Sequence, residues 1–182
     1  MAKGSVIQTA NGTPRELNNG GTSTSEVAFT TDGTVPVVLE LPGALKDLAQ
    51  SRSVCFKVRA WGRVTTSGTL NFTAALYYHT SLTSATITAA NALSSSGTVS
   101  LASLTTNWAI EATLIWDGTG DRLNGYAWNQ VHTTKEAETT IDNALTSIDP
   151  TATTAMGFIV AGTFGTGAAA NVCNLDGFEI EF

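Results

Sequence analysis

Charge is scarce in this chain. Only 13% of its 182 residues are Asp, Glu, Lys or Arg, about half the usual share. The charge present leans acidic: 15 carboxylates face 9 Lys and Arg, for a formal net charge of −6. Contact with a phosphate backbone needs clustered cations, and anionic lipid surfaces need the same. Nucleic acid and membrane are therefore not expected as partners. Long apolar runs are missing too, and none approaches the ~18 residues of a membrane helix. The opening MAKGSVIQTANG has a basic residue but not the apolar centre of a signal peptide.

Cysteine and histidine are just as sparse, with two of each. Cys55 and Cys173 form no CxxC pair, and with His79 and His132 they make a poor zinc set. Both thiols are expected to be small buried groups in a protein made in a reducing cytosol. Neither histidine sits in HxH or HExxH spacing. The catalytic frameworks that announce themselves locally are absent: no GxSxG elbow, no P-loop and no dinucleotide glycine fingerprint. The glycines of GTFGTG precede a strand, so they lack the helix N-terminus that holds phosphate. Glu111 and Asp117 stand roughly 20 Å apart along one strand, too far for a glycosidase pair. Glu179 and Glu181 alternate with Phe178, Ile180 and Phe182 and read as a solvent face. Enzymatic activity and a bound cofactor are not expected.

What the chain has instead is Thr, Ser, Asn and Gly, a composition that favours strands and tight turns. Residues 1–34 are poor in hydrophobics and read as an extended N-terminal arm; the domain proper is placed at 35–182. VPVVLEL (Val35–Leu41) is the first expected strand, followed by a helical turn at Ala44–Ala49. Arg52–Thr66 alternates strictly: Val54, Phe56, Val58, Ala60 and Val64 face one way, and Cys55, Lys57, Arg59, Trp61 and Arg63 face the other. A period of two marks a half-buried strand. Thr69–Thr80 answers it across a TSG turn, which predicts a hairpin.

Further strands are predicted at Gly97–Leu104, Asn107–Asp117, Asp121–Val131, Ala155–Gly165 and Asn171–Phe182, with a bulge at Asp176–Gly177 in the last. Between them, Thr133 and Glu136 resemble a capping box. Ala137, Ile141, Ala144, Leu145 and Ile148 fall at helical spacing, so a short helix is expected there. The sum is about eight strands and little helix, which points to an all-β, antiparallel two-sheet β-sandwich of jelly-roll type.

Two places invite a functional reading. The segment NWAIEATLIWDGTGDRLNGYAW holds three of the four tryptophans, Trp108, Trp116 and Trp128, and sets Asp117, Asp121 and Asn124 in a glycine-rich loop. Calcium takes 6–8 oxygens, and an EF-hand closes on a bidentate Glu. Here Thr119 stands at the third position and no Glu closes the loop, so a hairpin turn explains these residues better than a metal site. The phase of the strand makes Trp108 and Trp116 core, whereas Trp128 lies opposite in phase to Leu123. The second place is the outward face of the long strand. Lys57, Arg59 and Arg63, three of the nine basic residues, line up with Trp61. Tryptophan and arginine anchor interfaces, so this stripe is the candidate contact surface, suited to an acidic partner or to stacking on a sugar ring.

Three stretches, FKVRAWGRVTTSGTLNFTAALYYHTS, NWAIEATLIWDGTGDRLNGYAW and GFIVAGTFGTGAAANVCNLDGFEIEF, within residues 52–182, resemble small jelly-roll structural proteins of tailed bacteriophages. Among these the capsid decoration, or cement, proteins are the most similar. The shared features are packing and turn motifs rather than catalytic ones. The resemblance implies a virion protein on the outer capsid surface, with the major capsid protein as partner and a homotrimer as the usual assembly. It also implies an arm that grips neighbours, which makes Arg15 and Leu17 candidate contacts. WAIEATLIWDGTGDRLNGY resembles, in addition, the strand–turn–strand of laminin-G-like and legume-lectin-like sandwiches. The alternatives it leaves open are a carbohydrate-binding module and a structural domain of a phage tail or fibre.

Overall fold

The computed structural model describes residues 24–30, 37–79, 86–117, 122–135 and 157–182, together with the backbone pairing of 5–9, 15–16 and 139–144. Among the described residues, fourteen strand segments and one short α-helix follow in chain order. They are β1 (Ser5–Thr9), β2 (Arg15–Glu16), β3 (Val27–Ala28), β4 (Val38–Glu40), α1 (Gly43–Ala49), β5 (Val54–Thr65), β6 (Leu70–His79), β7 (Ala92–Ser95), β8 (Val99–Leu101), β9 (Thr105–Asp117), β10 (Arg122–Val131), β11 (Thr134–Lys135), β12 (Thr139–Ala144), β13 (Gly157–Phe164) and β14 (Val172–Glu181).

All pairings among the described residues are antiparallel. The front sheet runs β1-β14-β5-β9-β10-β11, with β2 also on β14 and β12 also on β10. The back sheet runs β3-β13-β6-β7, with β4 also on β13 and β8 also on β6. The last strand, β14, thus lies between the first and β5, and β13 lies between β3/β4 and β6. Two strand sets interleaved in this way across two sheets form a jelly roll. The β10–β12 hairpin extends the front sheet beyond it. The architecture is the expected all-β sandwich. Three pieces of residues 1–34 lie within it: β1 and β2 on β14, and β3 on β13.

The two sheets are buried differently. β5 alternates buried and accessible residues along its whole length, and the same period runs along β9. By contrast, β6 is buried continuously from Ala74 to Tyr78, and β13 from Gly157 to Gly162. A second cluster of Ala28, Ala75, Tyr77, Ile159 and Ala161 packs on the far side of the back sheet, away from the main core. There the Tyr77 phenol is pushed well above its usual range, first by burial and then by its hydrogen bond to Glu26. The front sheet has only one buried face. Its other side is the broad open β surface among the described residues.

The main core lies between the sheets and is aromatic. Trp108, Trp116, Phe29, Phe56, Phe72, Phe158, Phe164 and Phe178 are among its largest fully buried side chains. Phe56 meets Phe158 across the layers at 5.9 Å, and Phe29 stacks on Trp108 at 5.7 Å. Truncating one such ring costs about 3–5 kcal/mol. Asn129, fully buried on β10, ties the layers with polar contacts. Its Nδ2 donates to Ser94 Oγ at 2.6 Å and to the Ser95 carbonyl at 3.1 Å.

Three expectations need correction. β5 and β6 do not form a hairpin: β5 pairs with β14 and β9, and β6 with β13, β7 and β8. The TSG segment carries the chain from one sheet to the other. It is pinned by Thr66, whose hydroxyl donates to the Ala102 carbonyl at 2.5 Å, and by Asn171, whose Oδ1 accepts from the Ser67 N–H at 3.0 Å. Part of the helix expected after Thr133 is strand instead. β12 pairs with β10 from Ala127↔Thr139 to Arg122↔Ala144, because β10 offers an open edge and Thr139, Thr140 and Ile141 are β-branched. Ala137, Leu145 and Ile148 lie outside the described residues.

The third correction concerns Cys55, which is exposed, while Cys173 is buried and both thiols are free. The phase of β5 overrides the usual preference of cysteine for the interior. Burial raises the Cys173 thiol well above its ordinary range, which removes the reactive thiolate. A disulfide-exchange reagent should therefore titrate one thiol per native chain and two after unfolding. Two fast-reacting thiols in native buffer would show that the cover over Cys173 opens.

Candidate functional site

The candidate stripe on β5 lies on the open face of the front sheet, as its period requires. Lys57, Arg59, Trp61 and Arg63 all point outward. The neighbours on either side come from register. Glu179, Arg59, Glu111 and Trp128 form one row across β14, β5, β9 and β10; Glu181, Lys57, Thr113 and Tyr126 form the next. A third row reads Gly177, Trp61, Ala109 and Gln130.

These rows cancel the positive stripe. Arg59 Nε donates to Glu111 Oε2 at 2.8 Å, and its Nη1 lies 3.3 Å from Glu179 Oε1 and 3.1 Å from Glu181 Oε2. Lys57 Nζ reaches the other Glu111 oxygen at 3.5 Å. Arg63 grips Asp176 with two hydrogen bonds, 2.9 and 3.2 Å. The guanidinium of Arg59 is held above its usual range chiefly by the bond to Glu111, and that of Arg63 by Asp176. Surface pairs of this kind contribute about 0–1 kcal/mol each. Their larger effect is geometric, since they hold long side chains flat in a fixed lattice. Glu179 and Glu181, read as a plain solvent face, join Glu111 as partners of Arg59.

Aromatic exposure is the other property of this face. Among the described residues the large exposed hydrophobics are Leu48, Trp61, Ile115, Tyr126 and Trp128, and all except Leu48 stand on the outer side of the front sheet. Trp61, at 37% exposure, is fixed from one side. A Cβ on Gly177 would sit 2.1 Å from its Cζ2, so the indole covers bare backbone, a pairing that shields a sheet glycine. The register shift between Leu175 and Gly177 is the expected bulge, and it sets Gly177 beneath the ring. On the other side of Trp61 the partner is Ala109, too small to fill the row. A cleft of about 330 Å³ opens there between Trp61 and Gln130, with Asn107 and Asp176 at its rim. Gln130 Nε2 donates to the His132 carbonyl at 3.1 Å.

The other sequence candidates fall elsewhere. Arg15 pairs through its backbone with Leu175 at the edge of the front sheet; Leu17 lies outside the described residues. Asp117 and Arg122 close the β9–β10 hairpin, and Asn124 faces outward opposite Ile115. Asp121 lies outside the described residues, and among those described no group of three or more His, Cys, Asp or Glu is placed to hold a metal ion. Trp128 proves to be an outer-face residue. Ile115, Tyr126, Gln130 and Asn107 were not singled out from sequence. The alternation of β9 and β10 already placed them in the outward phase, but only the register sets them beside Trp61 and Arg59.

The Trp61–Gly177 contact yields a double-mutant test. Gly177→Val should destabilise the fold by about 2–3 kcal/mol through overpacking. Adding Trp61→Ala should recover at least ~1 kcal/mol of that loss, read from urea unfolding curves. Strictly additive effects would show that the ring does not rest on residue 177.

No family model matches the chain, and no curated protein matches it. Among solved structures, the winged bean acidic lectin complexed with methyl-α-D-galactose is similar across 99% of this chain and 98% of its own, at 10% identity and a TM-score of 0.40.

Proposed function

We propose that this chain is a non-enzymatic structural protein of a tailed-bacteriophage virion, attached to the outer surface of the shell through the open face of its front sheet. The observation that carries this reading is the concentration of exposed aromatics on one face. Trp61, Tyr126 and Trp128 rise from a sheet on which Lys57, Arg59 and Arg63 are already paired with carboxylates. Aromatic anchors on a rigid, locally neutral surface are what protein interfaces use for affinity. Docking there would leave few uncompensated charges to desolvate. The resemblance of residues 52–182 to decoration proteins supplies the partner, the major capsid protein.

A shell under internal pressure gains from subunits that bridge its neighbours. Self-association into a homotrimer would join several weak contacts into one strong attachment without any single contact being tight. The acidic balance of −6 keeps such a protein off packaged DNA.

The test is retention on purified shells of the virus that carries the gene, with purified tails as a parallel arm. Wild-type protein should co-sediment with shells. The Tyr126→Ala/Trp128→Ala double variant should lose at least tenfold in affinity, with an unchanged thermal melt. Retention on tails alone would move the protein to the tail or fibre. Equal retention of wild type and variant on shells would rule out this face as the attachment surface.

A further inference from the structure

The row Gly177–Trp61–Ala109–Gln130 differs from its neighbours. In the adjacent row, Glu111 bridges the space between Arg59 and Trp128; here the methyl group of Ala109 leaves a gap. The resulting cleft of about 330 Å³ is at the small end of ligand-binding clefts. Its lining includes the exposed Trp61, the largely buried Trp108 and three planar polar groups, those of Asn107, Gln130 and Asp176.

Each of the better-defined walls is held before any ligand arrives. Trp61 rests on Gly177, the Asp176 carboxylate is clamped by both nitrogens of Arg63, and the Gln130 amide is tethered to the His132 carbonyl. Groups fixed in advance lose little entropy on binding. Amides offer a donor and an acceptor side by side, and a carboxylate offers only acceptors. Together they match a ligand rimmed with hydroxyls, each of which both donates and accepts.

Charge narrows the class. Among the described side chains of this face, four carboxylates, Glu111, Glu179, Glu181 and Asp176, meet three cations, Lys57, Arg59 and Arg63. An anionic ligand finds Arg59 and Arg63 already engaged by carboxylates, and a cation finds the Asp176 carboxylate at the rim already engaged by Arg63. A neutral polyol with an apolar ring face satisfies the indole and the polar rim together.

We infer that the cleft between Trp61, Asn107, Gln130 and Asp176 is a binding site for one neutral pyranose ring, stacked on Trp61 and read through its hydroxyls by the two amides and the carboxylate. This site rests on the cleft and not on shell attachment. If a shell covers the same face, sugar and shell compete for it.

The experiment follows the Trp61 indole resonance by NMR during titration with methyl α-galactoside, methyl β-glucoside and N-acetylglucosamine, each to about 50 mM. At least one sugar should shift it saturably, with Kd on the order of millimolar. Asn107→Ala should weaken binding about tenfold. Ala109→Leu, which fills the cleft from a partly exposed position, should abolish it with the thermal melt unchanged. The inference fails if no sugar moves the resonance, or if both variants bind as tightly as wild type.

Discussion

Much of the front sheet depends on how Trp108 is seated. The indole is buried, stacks on Phe29 of the opposite layer and donates from Nε1 to the Asn174 carbonyl at 3.2 Å. To reach that carbonyl it crosses Gly62, where a Cβ would meet the Asn174 oxygen at 1.9 Å and the indole at 3.0 Å. One side chain therefore joins β9, β5, β14 and the back layer at a single point. Just past this anchor β14 shifts register, turning Asp176 outward and setting Gly177 under Trp61. The cleft and its aromatic wall follow from a core contact on the other side of the same sheet.

Pairing, more than composition, sets the character of the open face. A strand carrying Lys57, Arg59 and Arg63 would present a strong positive edge by itself. Placed between β14 and β9, it presents a lattice of ion pairs with the aromatics standing above it. Long-range steering toward acidic surfaces is thereby reduced, because paired charges cast a weak field beyond about one Debye length. Contact area and shape remain to supply affinity, which suits attachment to a large surface or a sugar ring better than capture of a charged molecule.

The places where local reading went astray share one cause. A strand–turn–strand pattern fits a hairpin within a sheet and an arch between sheets equally well. The difference between β5 and β6 was nevertheless visible, since one alternates with charges and the other is apolar through Ala74–Tyr78. Strands with one and two buried faces belong to different sheets. The segment after Thr133 carried a helical period and a capping pattern, yet its Thr139–Ala144 portion answers the free edge of β10. Intrinsic preference there is weaker than a ladder of interstrand hydrogen bonds. Cys55 followed its phase, not its residue type.

Composition and the succession of strands indicated a β-sandwich, and alternation made Trp108 and Trp116 core, turned Trp61 and the basic residues of β5 outward, and marked a bulge in β14. Those properties are local, because a period of two along one strand already separates its two faces. Tertiary structure decided which strands are neighbours. Only with β14 and β9 on either side of β5 do Glu179, Glu181, Glu111 and Asp176 meet the cations. Only then do Ala109 and Gln130 open a cleft beside Trp61. Register across strands far apart in sequence is a property of the packed core, and no single segment encodes it.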